Sequence, residues 1–187
     1  VAQKTNGRVK VNVGGSAQFG DDAESITNLR LGTLGFSANS QGTTSAAVPE
    51  FAVLGLPFLF RDLPHAYKVV DGPVGKQLAD AADKKGLVLL AMWDNGIRHT
   101  SNNKRAINKP EDLKGIKIRT PPDPMTLDIF NALGANPAPL AFSELYIALQ
   151  QGVFDGQENP LVNIYSSKLF EVQKHISLTG HKYEATP

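Results

Sequence analysis

The chain has 187 residues, 19 Lys and Arg against 18 Asp and Glu, a formal net charge of +1 and no cysteine. That length suits one large or two small domains, and the even charge, without a basic block, gives no footprint for nucleic acid. The missing cysteines exclude a disulfide scaffold and thiolate chemistry, and no run of eighteen apolar residues offers a membrane span.

Val1 to Lys4 reads as the tail of a helix stopped by Thr5-Asn6-Gly7. With no initiator Met, the chain is expected to be a fragment or a processed product, and a secretion signal could have been lost upstream. Arg8 to Val13 alternates and is β-branched, so a strand is expected. "DDAESITNLRLG" reads as a short helix capped by Asp21 or Asp22, with Ala23, Ile26 and Leu29 on one face and Gly32 at its end. "TLGFSANS" is expected to be a strand or near-strand, and "QGTTSAAVPE" a polar loop of small residues. "FAVLGLPFLFRD" is the most apolar window. Gly55 and Pro57 break it into a compact turn and short helix over a core, with Phe58 and Phe60 inside.

Helical periodicity follows from Leu63 to Gly86. Ala66, Val69 and Val70 share a face, and Leu78, Ala81 and Ala82 continue it after the Asp71-Gly72-Pro73 break. "LVLLAMW" then predicts a buried strand. From Gly96 onward the rhythm repeats. "IRHTSN" is extended, "KPEDLKG" is a turn with a short helical piece, and Ile116 to Thr120 is a strand ended by Pro121-Pro122. "DPMTLDIFNALG" is a helix with Asp123 as cap and Pro124 at its first position. Its apolar side is Leu127, Phe130 and Leu133. "ANPAPL" is a short strand, Ser143 is the expected cap of the helix "ELYIALQQG", "VFDGQENP" is a turn, "LVNIYSSKLFEVQK" has helical character and "HISLTGHKY" is a strand. This order indicates an α/β fold in two lobes, residues 1–96 and 97–187, with loops after strands available for a ligand.

Signatures of catalysis are poor. There is no H-E-x-x-H, G-x-S-x-G, Walker A or G-x-G-x-x-G sequence. Gly72-Pro73-Val74-Gly75-Lys76 lacks the Ser or Thr a phosphate loop needs after its Lys and sits within a helical pattern. The four histidines, His65, His99, His175 and His181, show no zincin spacing, so no metal site is assigned. The pairs Asp21-Asp22 and Glu111-Asp112 suit helix starts without any acid–base role.

Arg119 follows a short strand and precedes Thr120-Pro121-Pro122. A guanidinium held there can present a rigid fork to a carboxylate. Arg98 has a similar setting, and the two could meet in one cleft. Spacing leaves open the alternative that each is a surface or salt-bridging residue. Asn159, before Pro160, is a neutral donor and acceptor that could hold another side of a small polar ligand or merely organise its turn. Trp93, Phe142 and Tyr146 are candidates for an apolar cleft wall, with at least one of them in the core.

Read together, the stretches "KTNGRVKV", "LPFLFRD", "GPVGKQL", "WDNGIR", "NNKRAINKPEDLKGIKIR", "FNALGANPAPLAFSELYIALQQGVFDGQENPL" and "KLFEVQKHISLTGH" resemble the DctP-like solute-binding proteins of tripartite ATP-independent periplasmic (TRAP) transporters, in family order. The resemblance implies two α/β domains hinged around a cleft and often joined by a long helix. It also implies capture of an organic acid in the periplasm by a carrier expected to be monomeric. Delivery would be to a permease of a small and a large subunit driven by ion flux, without catalysis, metal or cofactor. It implies that Arg119, after "GIKI", forms the principal ligand carboxylate pair. Arg98 would supply a second contact, Asn159 a pocket group, and Phe142 a surface against the ligand. Against the full family pattern, the first strand, the late hinge strands and the long helix are expected to lie outside this chain.

Ligand choice is expected to lie mainly in "SANSQGTTSAAVPE". Asn39, Gln41, Thr43 and Thr44 are neutral hydrogen-bonding groups that suit hydroxyls better than a second carboxylate. A sugar acid such as a uronate is therefore the first expectation and a C4-dicarboxylate, with Arg98 on its second carboxylate, the next. A regulatory ligand-sensing domain or an acid-modifying enzyme are the competing classes. The first would need an output domain, the second converging reactive groups.

Overall fold

The computed structural model describes residues 1–187. Its five strands form one sheet. They are β1 (Trp93–Asn102), β2 (Lys117–Thr120), β3 (Asn136–Pro139), β4 (Gly156–Pro160) and β5 (His175–Thr186), in the order β3-β2-β4-β1-β5. β2 runs parallel to both β3 and β4, while β1 is antiparallel to β4 and β5. The carboxyl ends of β2, β3 and β4 therefore share one edge of the sheet. Antiparallel pairing brings Arg98 of β1 to the same edge, opposite Pro160 of β4 and Lys182 of β5. In open sheets of this kind, ligand crevices form outside the carboxyl ends of parallel strands.

The helices are α1 (Asp22–Leu31), α2 (Gln41–Thr44), α3 (Leu63–Val70), α4 (Pro73–Asp83), α5 (Pro124–Ala132), α6 (Leu145–Gln150) and α7 (Leu161–Ser166). Local chemistry sets many of their ends. The Asp21 side chain accepts from the N–H groups of Ala23 and Glu24, and Glu24 reaches back to the Asp21 N–H, a complete capping box. Gly32 then stops α1 with φ +74°. Asp123 caps α5 through the N–H groups of Met125 and Thr126, with Pro124 at the first helical position as expected.

Three apolar clusters hold the elements. Val48, Phe51 and Leu54 pack with Ala66 and Val70 of α3, Leu78, Ala81 and Ala82 of α4, and Tyr183 and Ala185 of β5. Ile116 and Ile118 pack with Ile129 and Phe130 of α5. Leu145, Leu149, Phe154, Ile164 and Leu169 form the third, with Ala138 and Leu140 against it. α5 thus covers the Ile118 side of β2, and the side that carries Arg119 faces away from that cluster.

Several sequence expectations need correction. Arg8–Val13, Thr33–Ser40 and Leu87–Met92 are not strands, and the first 92 residues hold only one isolated bridge, Gln18 to Gly20. The Leu87–Met92 run does keep a period of two. Leu87 and Leu89 pack on the first cluster, while Val88 and Leu90 are 74% and 72% exposed. Alternation prepares an extended segment, but a strand also needs a hydrogen-bonding neighbour, and none lies beside these runs. "QGTTSAAVPE" is not a loop throughout; its first residues form α2, buried, with Ser40 accepting from the Thr43 N–H.

"GQENP" is not a turn but the central, wholly buried strand β4, because β1 and β2 pair with it on either side. Ser143 does not cap α6; it lies within a 3-10 turn, Phe142–Glu144, that leads into the helix. Phe58 is 71% exposed rather than core, because its positive φ (54°) turns it outward, whereas Phe60 packs against the first cluster. Thr126, Ile129 and Phe130 are the buried residues of α5, a face turned from the expected Leu127–Phe130–Leu133 line by the polar anchor that Asp123 and Thr126 make to Lys182. No helix is long and apolar enough to cross a membrane.

Candidate functional site

Arg119 is the penultimate residue of β2, only 2% exposed. Its register partners are Ala138 of β3 and Gln157 of β4, so it stands on the same face as Gln157 and, two residues on, Asn159. Its Nε donates to the Leu140 carbonyl at 2.8 Å, and a second guanidinium nitrogen donates to the same oxygen. The Phe142 ring lies 5.8 Å from its guanidinium carbon, within cation–π range. None of the chain's ion pairs includes Arg119. Burial pulls its pKa down to about 10, with Arg98 nearby adding to the effect and Glu158 and Asp22 partly opposing it. A guanidinium keeps its proton far above neutral pH in any case. The depressed value marks a buried cation without a counter-ion.

The other buried cations are paired. Arg98 meets both Glu158 oxygens, the second at 2.7 Å, and donates to the Glu158 carbonyl and, at 3.2 Å, to Asn159 Oδ1. Its third nitrogen is 3.6 Å from Glu184. Burial disfavours this charge, but Glu158 and Glu184 outweigh burial and hold Arg98 above its usual range. Burial likewise opposes the Glu158 carboxylate, yet Arg98 and His181, whose Nε2 is 3.2 Å away, hold it far below the usual carboxylate range. Lys182 Nζ lies 2.6 Å from Asp123 and 3.1 Å from Glu184, and donates to Thr126 Oγ1. Against burial, these acids raise Lys182, and Lys182 lowers Asp123. Glu184 Oε1 accepts from the Gly42 N–H, tying β5 to α2.

Of the residues singled out in the sequence, Arg119, Phe142, Arg98 and Asn159 gather at this sheet edge. Both ends of the Asn159 amide are engaged, Oδ1 by Arg98 and Nδ2 by Gln157, which continues through Ser101 to Gln173. Asn39, just before α2, and Gln41, its first residue, are both buried. Ser37 donates to Asn39 Oδ1, and Gln41 Oε1 accepts from the Ala185 N–H while its Nε2 has no partner. Trp93 stands apart, 66% exposed at the start of β1, five residues or about 16 Å of strand from Arg98. No three His, Asp or Glu side chains converge as metal ligands.

Sequence reading missed the acids and the lysine of the network: Glu158, Glu184, Asp123 and Lys182. A signal was available for two of them. In "HKYEA", Lys182 and Glu184 alternate with Tyr183 and Ala185, giving a strand with one ionic and one apolar face. Asp22, at the start of α1, was read only as a helix-start residue. Its Oδ2 accepts from the Ser40 N–H at 3.0 Å, and burial, with repulsion from Asp21 and Glu184, raises its pKa.

The description "Bacterial extracellular solute-binding protein, family 7", DctP, matches residues 1–186. The chain is 60% identical over its full length to the uncharacterized protein y4mM of Sinorhizobium fredii, covering 35% of that protein. A TRAP periplasmic solute-binding protein of Sulfurospirillum deleyianum, solved with succinate, is 45% identical (TM-score 0.95; 99% of this chain and 60% of that one). Another, from Polaromonas sp. JS666, bound to D-erythronate, is 43% identical (TM-score 0.96; 99% and 61%). The chain spans 35% to 55% of the length of curated relatives it matches. With the match running along almost the whole chain, the protein belongs to the DctP family of periplasmic solute-binding proteins of TRAP transporters.

Proposed function

We propose that this chain is the ligand-capturing part of a periplasmic carrier that binds a small hydroxylated carboxylic acid, a sugar acid such as a uronate, and hands it to a TRAP permease of a small and a large subunit for ion-coupled uptake. In this reading residues 1–96 and 97–187 belong to two lobes, the ligand lies in a cleft between them, and the carrier acts as a monomer without catalysing a reaction. The carrying observation is Arg119: a guanidinium 2% exposed, fixed by one carbonyl and lacking any carboxylate. A carboxylic acid is costly to desolvate unless charge and hydrogen bonds replace its water. Arg119 meets that need with two donors in one plane.

Phe142 stacks beside the clamp, and Asn159, steadied by Arg98 and Gln157, orients a carboxylate or hydroxyl. Arg98 serves mainly through this steadying, its charge being matched by Glu158. The neutral groups of Asn39 and Gln41 face hydroxyls from the other side of the cleft, and Trp93 contributes an apolar wall when the lobes close. The D-erythronate-bound relative supports a hydroxylated acid. A dicarboxylate is the second reading, favoured by the succinate-bound relative.

The test is calorimetry on the full-length protein with D-erythronate, D-glucuronate and succinate, wild type against Arg119→Lys. Lys keeps the charge but loses the planar fork. An affinity loss of tenfold or more for the preferred acid is expected; unchanged affinity would sink the clamp.

A further inference from the structure

We propose that Gln157 is a positioning residue of the acid site: from the middle of a one-way hydrogen-bond chain it locks the Asn159 amide, so that an N–H of Asn159 and not its carbonyl serves the carboxylate held by Arg119. The inference rests on the clamp reading above and adds what fixes the neutral member of that site.

Strand pairing lays out the chain. Arg119 of β2 is opposite Gln157 of β4, and Gln157 is opposite Ser101 of β1, so the three side chains stand in one row on one face of the sheet. Asn159 lies two residues along from Gln157 on that face. Gln157, Ser101 and Asn159 are 0%, 1% and 2% exposed, so water does not compete for their bonds.

Both ends of the chain dictate its direction. The Val172 carbonyl can only accept, and Gln173 Nε2 donates to it at 3.0 Å. The Asn103 amide, 2.8 Å from the same oxygen, holds this end in place. Gln173 Oε1 is therefore turned to Ser101, whose hydroxyl gives it its one proton at 3.0 Å. Ser101 Oγ is left to accept from Gln157 Nε2 at 2.7 Å, and Gln157 Oε1 to accept from Asn159 Nδ2. At the far end the Arg98 guanidinium can only donate, and it meets Asn159 Oδ1. Reversing any amide would set donor against donor or acceptor against acceptor in a buried place.

Arg98 alone is a weak hold on Asn159. The nitrogen it uses carries two hydrogens and serves three acceptors: the Glu158 carbonyl and a Glu158 carboxylate oxygen, each at 2.7 Å, and Asn159 at 3.2 Å. The bond to Asn159 is the longest of the three, so the firm hold on the amide comes from Gln157. The second hydrogen on Asn159 Nδ2 has no partner in the protein and is the one that serves the ligand. A carboxylate only accepts, and a reversed amide would turn a carbonyl oxygen on it.

The test is a double-mutant cycle on acid affinity in the full-length protein, read by calorimetry with D-erythronate, D-glucuronate and succinate. Gln157→Met keeps the length of the side chain and removes the acceptor. Alone it is expected to weaken binding of the preferred acid about tenfold, and in an Asn159→Ala background less than about twofold, because its effect passes through the Asn159 amide. A merely structural role would give the same loss in both backgrounds, and that result, or unchanged affinity in Gln157→Met, overturns the inference. Ser101→Ala removes the link behind Gln157 without adding bulk. Should Gln157→Met fail to fold, the same cycle with Ser101→Ala decides, with a loss of about threefold expected only where Asn159 is present. If no acid binds, or Arg119→Ala binds as well as wild type, the clamp reading itself fails and this inference falls with it.

Discussion

Glu158 is the residue on which the buried charges turn. It receives two donors from the Arg98 guanidinium and faces His181, all without exposure to solvent. Removing one partner of a buried pair leaves the other uncompensated, at a cost of roughly 3–5 kcal/mol. Glu158→Gln keeps the shape and loses the charge, so it should destabilise the protein by about 3 kcal/mol. The urea midpoint reads this directly, and a midpoint equal to wild type would show that Arg98 finds its counter-charge elsewhere. Arg119→Lys separates from it cleanly, because Arg119 has no acid to abandon: it should change ligand affinity far more than stability.

At the scale of elements, the α3–α4 corner depends on a glycine. The Gly72-Pro73 turn lets α4 begin at once, and Gly75 then lies against the end of α3. A Cβ built on Gly75 would sit 1.7 Å from the Val70 carbonyl oxygen, a contact only backbone movement can relieve. Gly75→Ala should therefore cost about 2 kcal/mol or more in denaturation experiments, despite the better helix propensity of Ala. A neutral result would mean that the corner opens without strain. The sheet shows a second use of local chemistry. The edge strand β3 carries Pro137 and Pro139, which have no N–H to offer a stray strand, so its outer edge is blunted.

Across the whole molecule, the network joins distant parts of the chain. Gly42 bonds Glu184, 142 residues away, and Arg98 bonds Glu158, 60 away. Its pH response follows from the direction of each shift. Glu158 and Asp123 are held below their unfolded values; burial resists this, and Arg98 and Lys182 prevail. Such groups add stability above their unfolded values, near 4, and that stability is lost as pH falls through the folded values. Asp22 has the opposite sign. Burial raises it, so the stability it adds is present in acid and lost as pH rises through its folded value. Two depressed, highly buried acids outweigh one raised, partly exposed one. The urea midpoint should decline gently from pH 7 to about 5, where burial, with His181 nearby, holds His99 below its usual value so that protonating it costs stability, and drop more steeply below about 4. Equal stability at pH 3 and pH 7 would contradict the network.

The sequence by itself determined the α/β class, the capped starts of α1 and α5, the α3–α4 break, β2, β3 and β5, and the placing of Arg119 at a strand end. These follow from spacing, caps and prolines within a few residues of each other. Its resemblance to the DctP family also lay in continuous stretches of chain. Only the tertiary structure decided that "GQENP" is a central strand, because that depends on β1 and β2 arriving on its two sides. It alone decided that Leu87–Met92 stays unpaired, that Phe58 points outward, and that Arg98 is matched by Glu158 while Arg119 is matched by none. Whether a charge is paired depends on groups tens of residues away and on how much water is left around them, and neither quantity is written in the local order of residues.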